Sequence, residues 1–287
     1  MNDWSPRKKF TINFARATFL YAFRNMAIVT LISDWGLCNH YVATVKGTLL
    51  KQIPNVTIVD ISHEVPCFDL EKGCFILRNA YQHFPEGTIH LVALNTEAGS
   101  DTPHVVVKHD GHYFIGADNG IFAIMFDEKP SEAVEIDTYQ DSNYFTFPTR
   151  DLFVKIAARI ARGEKLEEIG QPYKSLKETY LLKPVVYDDR IIGRVIFVDN
   201  YHNFFINIDQ ETFKSSAKGR KFNIDLRSQG LKIDRFQESY GDVVEGEVLA
   251  LFSATGYLEI AINKGKASGL LGFKVNDLVT INFMDAK

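Results

Sequence analysis

A chain of 287 residues that is 46% hydrophobic, with 22 Phe and 12 Tyr, carries enough apolar surface for two ordinary cores and is not a disordered polymer. Its 36 acidic and 32 basic residues leave a formal net charge of -4, which argues against a nucleic-acid partner, because neutralising phosphates takes a basic face. No uninterrupted apolar run could span a bilayer, so a soluble protein with a small-molecule ligand is expected.

Residues 1–25 stand apart. Arg7, Lys8, Lys9, Arg16 and Arg24 are interleaved with Phe10, Phe14, Phe19, Leu20, Tyr21 and Phe23, and Arg16 interrupts the only apolar centre an export signal could use. An N-terminal extension that contributes nothing to the core is expected there. Cys38, Cys67 and Cys74 are odd in number and fit neither a disulfide framework nor a zinc site, which suits a reducing cytoplasm.

A regular pattern begins at Met26. An apolar strand over 26–32 runs into the turn Ser33-Asp34-Trp35-Gly36, and Tyr41, Val42, Val45, Leu49 and Leu50 then recur at helical spacing. A second strand is expected over 56–61. Asp69 is placed to cap a helix bearing Leu70, Phe75, Ile76 and Ala80, and a third strand spans 88–94. Alternating strands and helices imply crossover units and a largely parallel sheet.

The third strand opens the stretch 91–100, LVALNTEAGS. Its apolar run, covered on both faces, breaks into Asn95, Thr96, Glu97 and Gly99, at the kind of strand end where α/β domains collect ligands. His109 and His112 flank Asp110-Gly111, a stronger signature of a hairpin turn than of a metal site. An amphipathic helix over 151–162 stops at Gly163.

The α/β domain is thus expected over 26–165. Charged residues 164–168 with Gly170, Pro172 and Pro184 mark a linker over 166–190. Strand-like runs over 194–198, 204–208, 248–252, 257–262 and 278–283 make 191–287 a smaller antiparallel β-barrel or sandwich.

Standard cofactor signals are missing, since no G-x-G-x-x-G follows a strand and no Ser occupies a G-x-S-x-G elbow; neither a cofactor nor a metal is expected. What remains is a set of polar turns at strand ends. Asp34 could accept hydrogen bonds from a pair of ribose hydroxyls or cap the following helix, and sequence leaves both open.

Seven segments, in order, carry a more specific signal: SDWGLCNHYVATVKG from Ser33, VDISHEVPCFDLEKG from Val59, FPEGTIHLVAL from Phe84, ADNG from Ala117, TFPTRDLF from Thr146, VDNYHNFFINI from Val198 and YGDVVEGEVLALFSATGYLEIAINKG from Tyr240. Together they resemble the S-adenosylmethionine hydroxide adenosyltransferase family, which includes fluorinases and chlorinases, over the whole chain from Met26. The resemblance implies an α/β N-terminal domain, a β-barrel C-terminal domain, and a homotrimer with sites at subunit interfaces. It also implies displacement of methionine from S-adenosylmethionine by water or halide at the ribose 5′ carbon.

Position by position, the resemblance makes Asp34 a ribose ligand and places Phe68 where an aromatic packs on the substrate. It gives Asp199 the methionine ammonium and Asn203 the adenine edge, with Tyr201 and Phe205 as an aromatic wall. Ala254 and Thr255 fall where the methionine carboxylate is held, and Asn263 lies in the adenine-facing turn.

The departures fall at the chemistry. Family hydrolases carry an Asp-Pro-Gly-Val-Gly turn followed by Arg, and a Phe-His-Gly-Arg-Asp segment; here the Asp, Arg and His positions read Asn95, Thr102 and Pro148. An amide cannot take a proton from water as a carboxylate can, and proline cannot replace imidazole. Asn95, Thr96 and Thr149 are then the polar groups expected around the nucleophile, Thr149 standing where the fluorinases use a Ser. Two readings follow: a cleaving enzyme that relies on a dry pocket and in-line alignment, or a protein that holds S-adenosylmethionine or adenosine with weak turnover or none.

Overall fold

The computed structural model describes residues 26–99, 101–138, 145–226 and 231–284; the extension expected over residues 1–25 lies outside them. The chain divides into two compact units, one running to Tyr180 and the other starting at Leu181.

The first unit alternates as its periodicity demands: β1 (Ile28–Ser33), α1 (Tyr41–Gln52), β2 (Thr57–Ser62), α2 (Leu70–Tyr81) and β3 (Ile89–Ala93). Asp69 caps α2, its side chain accepting from the Lys72 amide at 2.9 Å. Next come β4 (His104–His109), β5 (His112–Ala117), α3 (Ile121–Met125) and β6 (Glu132–Ile136). The sheet order is β2-β1-β3-β5-β4-β6, closed at the edge by β7 (Gly170–Pro172). The first four of these strands are mutually parallel, and the hairpin and its neighbours add an antiparallel flank. Asp110 and Gly111 both have positive φ, 48° and 78°, as a tight hairpin of primed type requires.

Every residue of β3 is buried, because helices cover both faces. Val45 and Leu49 of α1 pack on one face with Leu31, Leu91 and Ile115, together with Ile156 and Ile160 of α4 (Val154–Ala161). Tyr81 of α2 packs on the other face, against Phe114. A π-helical turn, Thr149–Phe153, leads directly into α4, with the Val154 amide bonded to the Thr149 carbonyl.

Part of the stretch expected as a linker belongs to this sheet. It forms α5 (Leu166–Ile169) and β7, which pairs with β6. Gly170 is needed for that pairing: a Cβ there would fall 1.8 Å from the Glu135 carbonyl oxygen.

The second unit holds β8 (Val185–Val186), β9 (Arg190–Val198), β10 (Phe204–Asp209), α6 (Gln210–Ala217), β11 (Lys221–Asp225), β12 (Lys232–Ile233), β13 (Val248–Phe252), β14 (Tyr257–Ile262), α7 (Ala267–Leu271) and β15 (Leu278–Met284). All pairings are antiparallel, in the order β12-β11-β15-β9-β10-β14-β13, with β8 on β9. Past β12 the Gln237 amide donates to Ala250 of β13 at 2.9 Å, so the end strands meet and the sheet is a nearly closed barrel. Phe204, Ile206, Ile208, Leu258, Ile260 and Ile281 fill it. Helix α6, absent from the sequence expectation, starts on the Asp209 carboxylate, which accepts from the Thr212 amide and hydroxyl.

A polar chain crosses the first sheet: Thr30 Oγ1 lies 2.7 Å from His90 Nδ1, and His90 Nε2 lies 3.3 Å from His112 Nδ1. Burial, then the neighbouring His112, push His90 down to about 3. The folded protein therefore keeps His90 neutral where the unfolded chain binds a proton, so stability is full above pH 6.5 and is lost as pH falls from there toward 3. Urea unfolding at pH 7.5 and pH 5 should show a loss of about 2 kcal/mol from this group alone. A His90→Phe variant should show a smaller loss over the same interval; an equal loss would assign the effect elsewhere.

Candidate active site

The four parallel strands β2, β1, β3 and β5 end at a common carboxyl edge, and the loops that leave it are stitched to one another. Ser33 Oγ, at the end of β1, lies 2.6 Å from His63 Nδ1, just past β2, and His63 Nε2 lies 3.0 Å from Asp60 Oδ1. Burial raises the Asp60 carboxyl, but hydrogen bonds from Lys46 and His63 outweigh it and leave the group below its ordinary value. The Gly36 amide donates to the His63 carbonyl at 2.7 Å.

Asp34 belongs to this lacing. Its Oδ2 accepts from the Phe68 amide at 3.3 Å, and its carbonyl from the Cys67 thiol at 3.6 Å. It does not cap the next helix, whose N-cap position is His40. Phe68 is 74% exposed at φ 66°, a costly backbone for a bulky residue, so Asp34 and Phe68 are presented together beside the edge.

Between β3 and β5 the clamp is Asn119. Its Nδ2 donates to the carbonyls of Leu94 at 2.8 Å and Asn95 at 3.0 Å, fixing Asn95 at φ 46° with its side chain exposed. Thr96 follows, its carbonyl accepting from His104 Nε2 at 2.9 Å. Gly99 and Thr102 then pair through both backbone groups. Asp118, fully buried, accepts on Oδ2 from the Tyr173 hydroxyl at 3.0 Å and the Lys177 amide at 2.7 Å. Burial first, then Asp118, push the Tyr173 phenol up to about 12.

Thr149 opens the π-helical turn, which packs against α1, β3 and β5. Two residues earlier, the Phe147 ring meets Trp35 edge-on at 5.4 Å, and Trp35 is the neighbour of Asp34. Thr149 is 0% exposed, and its Oγ1 has no hydrogen-bonding partner among the described residues. An orphaned buried hydroxyl at a helix N-terminus is a group waiting for a ligand or a water.

In the second unit, the turn between β9 and β10 carries Asp199, Tyr201 and Asn203. Asp199 Oδ1 accepts from the Asn203 amide at 2.8 Å, and Tyr201 is 76% exposed. Phe205 sits on the outer face of the barrel, opposite Glu259 in register and edge-on to Phe197. Asn263, at the end of β14 nearest that turn, donates to the Val243 carbonyl at 2.8 Å. Ala254 and Thr255 occupy the β13–β14 turn, at the opposite end of β14, where Gly256 accepts from Gln210. Thr255 lies five positions before the Ile260 that pairs with Phe204, about 16 Å along the chain direction. One barrel therefore gathers Asp199, Asn203 and Asn263 at one end and presents Ala254 and Thr255 at the other.

Sequence reasoning assigned no role to Asn119, Trp35, Phe147, Tyr240 or Glu259, though each lies in or beside a segment it singled out. Among the described residues, no group of three or more His, Cys, Asp or Glu is arranged to hold a metal ion, and no helix is long and apolar enough to cross a membrane.

Thr149→Val removes the orphaned hydroxyl and keeps the shape. Urea denaturation of the ligand-free protein should show a gain of about 1 kcal/mol.

Residues 29–170 match the model of the SAM hydroxide adenosyltransferase N-terminal domain, and residues 193–280 that of the C-terminal domain. The chain is 25% identical over 260 residues to a protein of Salinispora tropica named (R)-S-adenosyl-L-methionine hydrolase, covering 88% of this chain and 97% of that one. It is 24% identical to a fluorinase of Nocardia brasiliensis, over 82% of this chain and 90% of the other. A crystal structure of an uncharacterized conserved protein from Thermotoga maritima superposes with a TM-score of 0.79 at 32% identity, covering 89% of this chain and 99% of that one.

Proposed function

Because the chain belongs to the S-adenosylmethionine hydroxide adenosyltransferase family, we propose that it cleaves S-adenosylmethionine by attack of water at the ribose 5′ carbon, giving adenosine and methionine. The observation that supports this reading is the buried Thr149 hydroxyl, which has no hydrogen-bonding partner among the described residues, in a helical turn that packs against β3 and β5.

The chemistry asks little of a base. Water oxygen forms the new C5′–O bond as the C5′–S bond breaks, its electron pair neutralises the sulfonium, and the proton of the attacking water passes to solvent. Methionine leaves as a neutral thioether, so a dry, aligned pocket supplies much of the acceleration. Thr149 and Thr96 orient the water, and Asn95 offers an amide where family hydrolases carry a carboxylate. Asp34 takes the ribose hydroxyls and Phe68 packs on the substrate. In the second unit, Asn203 reads the adenine edge and Asp199 takes a substrate donor. The assembly in this reading is a homotrimer with shared sites, which the native mass in solution tests.

With Asn95, Thr102 and Pro148 in place of a carboxylate, a guanidinium and an imidazole, hydrolysis should be slow, since positioned acid-base help is worth roughly a hundredfold to ten-thousandfold. A variant combining Asn95→Asp, Thr102→Arg and Pro148→His should form adenosine faster than the parent. Asp34→Ala should weaken adenosine binding by about 1 to 3 kcal/mol. Mass spectrometry of purified protein incubated with S-adenosylmethionine decides between this reading and its rival: a folded parent that binds the substrate and yields no product is a binding protein. Halide attack is the third outcome, disfavoured because a desolvated anion needs several converging donors.

A further inference from the structure

The strand YLEIAI of β14 alternates, and Glu259 falls on its outer side, where a charged residue is ordinarily solvated. In the structure it is 1% exposed. Two donors converge on its Oε1: Asn203 Nδ2 at 2.9 Å and the Tyr240 hydroxyl at 2.8 Å. The neighbours on this face, Leu249, Leu251 and Ala261, are apolar. Burying a carboxyl here is costly and adds nothing to the barrel core, which lies on the other side of the sheet.

What the carboxylate does is settle the Asn203 amide. An amide can present either its carbonyl or its NH2, but a carboxylate only accepts, so Nδ2 must face Glu259. The backbone of Asn203 is fixed as well, through its amide to Asp199 Oδ1 and its carbonyl to the Asp199 amide at 3.0 Å. No described residue donates to Asn203 Oδ1. The one group left for a ligand is an acceptor.

We infer that Glu259, held by Tyr240, is a positioning residue that locks the Asn203 amide so that the site accepts a hydrogen bond from a purine 6-amino group and rejects a 6-oxo group. This rests on the reading of Asn203 as the residue facing the base. A 6-oxo purine would set its own acceptor against Asn203 Oδ1, leaving two acceptors unpaired.

Calorimetry of the full chain with adenosine and with inosine tests it. The parent should bind adenosine about tenfold or more tightly than inosine. Glu259→Gln can accept or donate at the same place, which frees the Asn203 amide to turn, so the ratio should fall to about threefold or less, chiefly through tighter inosine binding. Glu259→Met fills the space without a hydrogen-bonding atom, and the ratio should collapse there too. A merely structural role for Glu259 would weaken both ligands alike and leave the ratio intact; that result in a folded variant overturns the proposal, as does a parent that does not discriminate. Asn203→Ala separates the two levels. If it binds both nucleosides as the parent does, the base is not read by Asn203, and the proposal falls with that reading. If it loses adenosine affinity while Glu259→Gln keeps the parental ratio, the reading stands and the role of Glu259 is refuted.

Discussion

A parallel sheet ends in carbonyls and amides that no neighbouring strand can pair, and the first unit depends on how those groups are tied off. Asn119 satisfies two of them at once, on Leu94 and Asn95, and the Gly36 amide satisfies a third on His63. These bonds run from loop to loop across the strand order. The turn after β3 is thereby held against the turn after β5, and the turn after β1 against that after β2. Without such cross-links, the polar residues of 34–36, 63–69 and 95–102 would be independent loops on a rigid scaffold. With them, the edge carries two fixed pairs of loops, one presenting Asp34 with Phe68 and the other presenting Asn95.

The same logic explains where backbone strain sits. Phe68 and Asn95 both have positive φ, and each lies beside a hydrogen bond that helps fix it: Asp34 to the Phe68 amide, Asn119 to the Asn95 carbonyl. In the barrel, the corresponding expenditure is electrostatic. Glu259 is buried among apolar side chains with two donors in attendance, and desolvation raises its carboxyl above the ordinary range despite them. Both costs fall outside the core of their own unit.

Much of this was legible in the sequence wherever one local rule dominates. The Asp110-Gly111 hairpin follows from turn chemistry, Asp69 from helix capping, and the wholly apolar β3 from burial on two faces. Strands β13 and β14 appear where alternation places them. The misses have other causes. Strand β7 is three residues long and exists because Gly170 lets it approach Glu135, a tertiary fact that composition records only as a Gly/Pro-rich stretch. Helix α6 is short and polar, so its period is weak, although Asp209 with Thr212 three residues on is a capping signal. In the site, polar turns at strand ends were visible, Asp34 carried family resemblance, and Asn95 stood out as a departure from it. Glu259 was not visible as buried, because alternation assigns it to water, and it is Asn203 and Tyr240, each distant in sequence, that cover it.

The π-helical turn at Thr149–Phe153 holds one residue more than an α-helical turn would, and α4 continues from it without a break. The widened turn absorbs that residue locally, so the segment before it keeps its place while the packed helix behind it keeps its own register. The turn is in effect a shim: it lets the buried face of α4 obey the sheet while Thr149 obeys the strand edge. A single codon gained at this turn is thereby taken up within one turn of helix, and the core of α4 is spared any repacking.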